Sequence, residues 1–170
     1  ALQPVIARLK PRQEKKDGVM FSIEAIMSTN LITVEPSSTL AEARTLMHDK
    51  RIHHIPVVED GRLKGLVTLT NVLAATDSFL RDPKNRIHAN EILVKDAMVP
   101  DVATVDVNAS LRSAALFIEK HKIGCLPVMS DEKLVGIITD TDFVAVAINL
   151  LETIEETEPV AGDYEDEDVA

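Results

Sequence analysis

The sequence predicts an α/β (α+β) fold made of two β-α-β-β-α repeats packed about a pseudo-twofold axis. When the chain is shifted by 71 residues, positions 26–73 align with 97–144 without a gap, and 13 of these 48 positions are identical. Unrelated sequences of average composition would share roughly three. Strand-like and helix-like spacings of apolar residues also follow one another in the same order in both copies. One copy alone cannot cover both faces of a three-stranded sheet, so we expect the copies to pack together.

Each copy opens with a short β-branched strand and a helix. The strand is LITV in the first copy and VATV in the second, and it is stopped by Pro36 or Asn108. Thr39 with Glu42 three positions later predicts a capping box, and Ser110 takes the cap position in the second copy. Three apolar residues then share one face of each helix, namely Leu40, Ala43 and Met47, or Leu111, Ala114 and Ile118.

Two further strands and a second helix complete each copy. IPVV and LPVM predict buried strands, joined through turns at 59–61 and 130–132 to the strands LKGLVTL and LVGIIT. The second helices are expected from about Asn71 to Phe79 and from about Asp142 to Glu152. We therefore expect a basic arm at 1–18, the first repeat at 19–80, a polar linker at 81–93, the second repeat at 94–152 and an acidic, disordered tail at 153–170.

Charge is concentrated at the two ends of the chain. The net charge is −10, yet residues 152–170 carry nine acidic and no basic residues, and residues 1–18 carry five basic and two acidic ones. The region between them is close to neutral. An acidic segment poor in aromatic residues is typical of a solvated tail, although docking on a basic partner is an alternative. The basic arm lacks interleaved aromatics, so nucleic-acid binding is disfavoured.

Composition limits the class of protein further. Hydrophobic residues make up 45% of the chain but aromatic residues only 3%, so the core is aliphatic. Cys125 is the sole cysteine, which excludes a disulfide framework and a thiolate zinc site. The longest apolar stretch, 143–151, is about half the length of a membrane helix, and no signal peptide pattern occurs. These features predict a cytoplasmic protein that does not contact a membrane.

The motifs of both copies resemble the cystathionine β-synthase (CBS) domain, which occurs in tandem as a Bateman module. The resemblance rests on the P-V of the second strand and on GLVTLTN and GIITDTD before the last helix, and it covers about 130 residues, 23–150. It implies clefts between the copies that bind an adenosyl nucleotide (AMP, ADP or ATP) or S-adenosylmethionine, a homodimer and a regulatory role. In size and layout the chain is similar to small stand-alone CBS proteins of the acetoin-utilisation type.

By this resemblance, each cleft combines the T-x-x-D/N motif of one copy with the first strand and the segment before P-V of the other. The expected ligand-binding residues of one cleft are Thr139, Asp142, Ile137, Ile32, Ile52, His53 and His54. Those of the other cleft are Thr68, Asn71, Leu66, Ala103, Ile123, Gly124 and Cys125.

The chemistry of these residue types fits a nucleotide. A carboxylate or an amide oxygen at the start of the last helix can accept hydrogen bonds from ribose hydroxyls, and imidazoles can donate to phosphate. T-x-x-D is also an imperfect capping box, and taken singly it favours a purely structural role. Its occurrence in both copies after G-h-h, where h is hydrophobic, favours ligand binding.

No catalytic residues are predicted, and the chain is not expected to be an enzyme. His48 and His53 lie on different elements without accompanying carboxylates, so no metal site is expected, and Mg²⁺ would enter only with nucleotide phosphates. Cys125 is interpreted as a small core residue because no activating base accompanies it. The predicted function is a ligand-sensing module that acts on an unidentified regulated protein. The alternatives are a structural dimerisation module without an obligatory ligand, and a regulator that contacts nucleic acid through the basic arm.

We also expect a homodimer. The helices beside the clefts, above all the Ala- and Val-rich face of 143–150, carry more apolar surface than one sheet layer can cover.

Overall fold

The same order of strands and helices occurs twice along the chain. The computed structural model describes residues 8–9, 22–80 and 91–157, with side chains over 22–76 and 91–156. The expectations for most of the basic arm, for linker residues 81–90 and for tail residues 158–170 lie outside these ranges. The first half contains β1 (Arg8–Leu9), α1 (Ile23–Ile26), α2 (Leu40–Lys50), β2 (His54–Glu59), β3 (Arg62–Thr68) and α3 (Leu69–Leu80). The second half contains α4 (Val94–Ala97), β4 (Val99–Pro100), β5 (Thr104–Asp106), α5 (Leu111–His121), β6 (Cys125–Ser130), β7 (Lys133–Thr139) and α6 (Asp140–Thr157).

Each of the two sheets contains one antiparallel hairpin, β2-β3 or β6-β7. One sheet has the order β2-β3-β4 and the other β1-β5-β6-β7. His54 pairs with Thr68 in the first hairpin, and Cys125 pairs with Thr139 in the second, at equivalent positions of the repeat. The register also shifts at equivalent places, after Val57 and after Val128. The predicted α/β fold of two repeats is therefore confirmed, including the equivalence of IPVV and LPVM.

The first strand of each copy differs from its prediction. LITV does not form a strand, since only Val34 makes an isolated parallel bridge, to Val57. VATV contributes the start of β5, which pairs in parallel with β6. The two copies differ in what lies beside this segment. In the second copy, β1 pairs in parallel with β5, with Arg8 opposite Thr104, and this pairing adds a strand to the sheet.

The helix caps of α2 and α5 are as predicted. The Thr39 hydroxyl accepts from the Glu42 backbone N–H at 3.2 Å, and the Glu42 carboxylate accepts from the Thr39 N–H at 2.8 Å, which completes the capping box. The Ser110 hydroxyl accepts from the Ser113 N–H at 3.0 Å. Side chains thus satisfy N–H groups that the helix itself leaves without partners.

The second helix of each copy is longer than predicted. Helices α3 and α6 begin at Leu69 and Asp140, two residues before the expected starts. Helix α6 continues to Thr157, so the boundary of the acidic tail at 153 is too early. Three of the five residues at 152–156 are glutamates, which are good helix formers, and the next proline is Pro159.

The short helix at the start of each repeat packs into the hydrophobic core of the other repeat. Ile23 of α1 is fully buried in the core of the second repeat, beside Leu126 and Val128. Val94 of α4 is buried in the core of the first repeat, together with Ile92. The expected linker, 81–93, therefore ends inside the first core. The core of each repeat thus contains the short helix from the start of the other repeat, and the two repeats pack as one unit.

None of the helices in the described ranges combines the length and the apolarity that a bilayer span requires.

Candidate ligand-binding cleft

A cavity of about 460 Å³ lies between the two repeats. The first repeat contributes His54, Leu66, Thr68 and Thr70 to its lining, and the second contributes Val99, Asp101, Val102, Ala103, Phe117, His121, Lys122, Ile123, Gly124, Cys125 and Pro127. The volume lies within the range of small-molecule sites, and the lining combines apolar walls with a few polar groups.

The lining contains most of the residues that the sequence assigned to the Thr68 cleft. Leu66 and Thr68 face Ala103, Ile123, Gly124 and Cys125 across the cavity. Ala103 and Gly124 of the second repeat are small and leave space for the cavity, and Leu66 and Thr68 of the first repeat form another part of its wall. Their role in binding stays a prediction.

Asn71 stands behind Thr68 and does not itself line the cavity. Its side-chain oxygen accepts from the Thr68 backbone N–H at 3.0 Å and from the Thr68 hydroxyl at 2.7 Å. A backbone N–H only donates, so the amide oxygen must face Thr68 and the amide NH₂ points elsewhere. Asn71 therefore fixes the Thr68 hydroxyl, and its side-chain oxygen accepts two hydrogen bonds within the motif. The ligand-binding role of Asn71 stays a prediction.

Thr139 and Asp142 repeat this arrangement in the second copy. One carboxylate oxygen, Oδ2, accepts from the Thr139 backbone N–H at 2.7 Å and from its hydroxyl at 2.9 Å. The Thr139 hydroxyl accepts in turn from the Asp142 N–H at 3.4 Å. Among the described residues, Oδ1 has no hydrogen-bond partner. The motif thus caps α6 and still presents one charged acceptor atom.

Four further residues assigned to the Thr139 cleft, Ile137, Ile52, Ile32 and His53, do not line this cavity. Ile137 pairs with Ser28 through two backbone hydrogen bonds of 2.9 and 3.0 Å. Ile52 packs against the core of the first repeat, Ile32 is half-buried and His53 is exposed. Where the Thr68 cavity has Ala103 and Gly124, the equivalent positions here hold the larger Ile32 and His53.

His54 was expected in the Thr139 cleft, but its side chain lines the Thr68 cavity. The space comes from Gly124, because a Cβ there would lie 2.6 Å from His54 Nε2. Burial lowers the pKa of His54 below its ordinary value of 6.5, and His53 lowers it further, whereas Asp140 raises it. The imidazole is therefore mainly neutral at pH 7 and bridges the two repeats.

Cys125 lies in the cavity wall with 4% of its surface exposed. Burial, and secondarily the negative charge of Asp140, raise the pKa of its thiol to about 12. The thiol is neutral at physiological pH, which agrees with the interpretation of Cys125 as a small core residue.

Sequence reasoning missed the aromatic wall of the cavity. The rings of Phe117 and His121, one helical turn apart on α5, stack with centroids 4.2 Å apart and planes tilted by 33°. Lys122 follows in the left-handed conformation, φ 53°, and its ammonium lies 3.6 Å from Glu119. The i, i+4 spacing of the two rings just before Ile123 was the available signal.

Within the described ranges, no three His, Cys, Asp or Glu side chains come together in a group that could hold a metal ion.

These features define a tandem pair of CBS domains, and comparison with known proteins gives the same result. The sequence matches the CBS domain family twice, over residues 23–78 and 94–149. The chain belongs to this family. CBS domain-containing protein YhcV of Bacillus subtilis is 33% identical over 119 residues, which cover 70% of this chain and 80% of that protein.

Two solved structures extend the comparison. A candidate acetoin utilization protein (AcuB) from Vibrio cholerae has 41% identity and a TM-score of 0.69, with 83% of this chain and 100% of that chain covered. CBSX2, solved in complex with AMP, has 28% identity and a TM-score of 0.66, with 77% and 98% covered. Two longer relatives are enzymes, of which the chain spans 23% and 27%.

Proposed function

We propose that the chain is a regulatory module that binds one adenosine-containing ligand in the cavity between its repeats and has no catalytic activity of its own. The observation that carries this proposal is the cavity itself, in which the Thr68 motif of one repeat faces Ala103 and Gly124 of the other. Because both repeats contribute walls, a ligand there contacts both at once. Binding would therefore bias their relative position, which a partner protein could detect.

The lining fits an adenosine skeleton. Leu66, Ala103 and Ile123 offer apolar surface to a base, and the stacked Phe117 and His121 offer an aromatic face. Lys122 supplies a positive charge at the lining for a phosphate. The crystal structure of CBSX2 with AMP supports this class of ligand, and it makes AMP the first compound to test.

Calorimetric titration with AMP, adenosine, ATP and S-adenosylmethionine tests the proposal. At a ligand concentration about 100 times the Kd, one site stabilises the folded protein by about 2.7 kcal/mol, so the melting temperature should rise as well. Ala103→Leu should weaken binding at least about tenfold by filling the cavity. The matched control is Ala74→Leu, the same change at an exposed position of α3. The proposal fails if none of the four compounds binds, or if both variants bind equally well.

A structural dimerisation module without an obligatory ligand is the second candidate. The exposed apolar residues of α6 favour it, and we propose a homodimer in either case. The two candidates differ in the titration, because a purely structural module shows no saturable heat with any adenosine compound.

A further inference from the structure

The two repeats differ at one equivalent edge of their sheets. In the second repeat, β1 covers this edge by pairing in parallel with β5, with Arg8 opposite Thr104. The residue equivalent to Thr104 in the first repeat is Thr33. Within the described part of the chain, no segment pairs with the outer side of 33–35. The protein thus has an extended segment on one of two equivalent edges, and the other edge is open.

The backbone of Thr33 presents both of its hydrogen-bonding groups at the open edge. Val34 directs its groups toward β2, since its N–H donates to the Pro56 carbonyl at 3.2 Å and its carbonyl accepts from the Val58 N–H at 2.9 Å. Successive residues of an extended segment direct these groups to alternate sides, so those of Thr33 point away from β2. None of the described residues hydrogen-bonds to them. Such an edge is a template for an added strand.

The open edge is short. The Glu35 N–H donates to the Ser38 hydroxyl at 3.3 Å, and the Glu35 carbonyl accepts from the Ser38 N–H at 3.0 Å, so a turn follows the extended segment at once. Strand β1 on the equivalent edge has only two residues. An added strand of that length makes few backbone hydrogen bonds, so side-chain contacts must supply much of its specificity.

An open groove of about 930 Å³ runs between this edge and the start of α2, and it is acidic. Its lining includes Glu35 and Glu42, both exposed, and none of the described residues that line it is basic. Neither carboxylate forms an ion pair with a described residue. In the second repeat, Ser113 replaces Glu42 and Arg112 replaces Ala41. The groove of the first repeat therefore favours a basic occupant more strongly than its counterpart does.

We propose that this edge, Thr33–Glu35, binds an extended segment of a partner protein by parallel strand addition, with a basic residue beside Thr33 and an aliphatic residue beside Val34. Strand β1 has the same order, basic then aliphatic, at its own edge. Side chains alternate between the two faces of a sheet, so the basic residue lies on the face that carries Glu35. The aliphatic residue lies on the face of Val34, where Leu46 of α2 lines the groove. The groove shares no lining residue with the cavity between the repeats, so this binding does not require a ligand there.

An NMR titration of the full chain with the capped peptide VIARLK, a copy of residues 5–10, tests the site. Strand β1 is tethered to its own edge, which disfavours its displacement by free peptide. The amide resonances of 33–35 and of the first turn of α2 should therefore shift, and those of 104–106 should not. Shifts confined to 104–106, or no shifts up to about 1 mM peptide, overturn the proposal.

N-methylated peptides test strand addition itself. In the proposed register the leucine N–H of the peptide donates to the Thr33 carbonyl, and its arginine N–H points to solvent. N-methylation at leucine should weaken binding at least about tenfold. N-methylation at arginine is the matched control and should change binding by no more than about twofold. Equal effects of the two modifications would show that the peptide is not held as a strand.

Charge reversal tests the acidic groove. Glu35→Lys should weaken binding of VIARLK at least about threefold, and added salt should weaken binding to the wild type. The variant should fold, because the exposed Glu35 carboxylate accepts only from the Ser37 hydroxyl, at 3.3 Å. Glu132→Lys, the same change at an exposed turn of the second repeat, is the control. The peptide VIAELK, in which glutamate replaces arginine, should bind Glu35→Lys more tightly than the wild type. Equal binding of VIARLK by the two variants contradicts the assignment of the groove.

Discussion

His54 of the first repeat occupies the space that Gly124 of the second repeat leaves open, 2.6 Å from where a Cβ would lie. Gly124 is not in the left-handed region, so the backbone does not require glycine there. The close approach of His54 is what favours glycine at position 124. The same contact joins the two repeats at the cavity.

Gly124→Ala should displace the His54 ring and lower the free energy of unfolding by about 1 to 3 kcal/mol. Adding His54→Ala should relieve most of this strain, with a coupling energy of about 0.5 to 3 kcal/mol in denaturant unfolding of the four proteins of the double-mutant cycle. Strictly additive effects of the two changes would contradict the contact.

The stability of the protein should fall as the pH decreases below about 6.5. Burial holds the pKa of His54 below its ordinary value of 6.5 in the folded protein, so the unfolded chain binds the proton more readily. The contribution of neutral His54 to the free energy of unfolding is complete above the pKa of the unfolded chain. It is lost as the pH falls from there toward the lower pKa of the folded protein. Thermal unfolding from pH 8 to pH 5 should show a smaller decrease for His54→Gln. Asp140→Asn removes the group that raises this pKa, so its decrease should be larger. An NMR titration that gives His54 a pKa above 6.5 would refute this account.

Cys125 should resist alkylation in the folded protein at neutral pH. Its thiol pKa, raised to about 12, leaves almost no thiolate, and only 4% of the residue is exposed. Labelling with iodoacetamide at pH 7.5 should follow global or local opening, and the denatured chain is the control for full reactivity. Labelling of native protein at the rate of the denatured chain would disprove this burial.

Ile23→Ala should destabilise the protein by about 2 to 5 kcal/mol, although Ile23 lies in a helix of four residues. The reason is that Ile23 is fully buried in the core of the second repeat. Its neighbour Glu24 is exposed, and Glu24→Ala should change the stability by no more than about 0.5 kcal/mol.

Hydrogen exchange of the Ile23→Ala protein locates the effect. Amide protection should be lost first in β6 and β7, which lie far along the chain from the substitution. Preferential loss in α2 and β2 would show that α1 stabilises its own repeat instead.

The sequence alone determined the repeat, the order of its elements and the caps at Thr39 and Ser110, because these depend on local spacing and on side chains within three residues of each other. It also placed Ala103 and Gly124 opposite Thr68, since the resemblance to the CBS family carries the pairing of the two copies. The length of α6 was underestimated because acidic residues after Leu151 were attributed to a tail.

Only the tertiary structure decided which repeat each short helix joins and which cleft His54 enters. Ile23 and Val94 are apolar residues of short helices, and their local sequence does not indicate whether they pack in the core of the first or of the second repeat. His54 turns toward Gly124 because two residues 70 positions apart meet there and one of them lacks a side chain. The Phe117–His121 wall arises in the same way, since a helix face becomes part of a cavity only when the other repeat closes it. These features depend on contacts between distant segments, and local spacing carries no information about them.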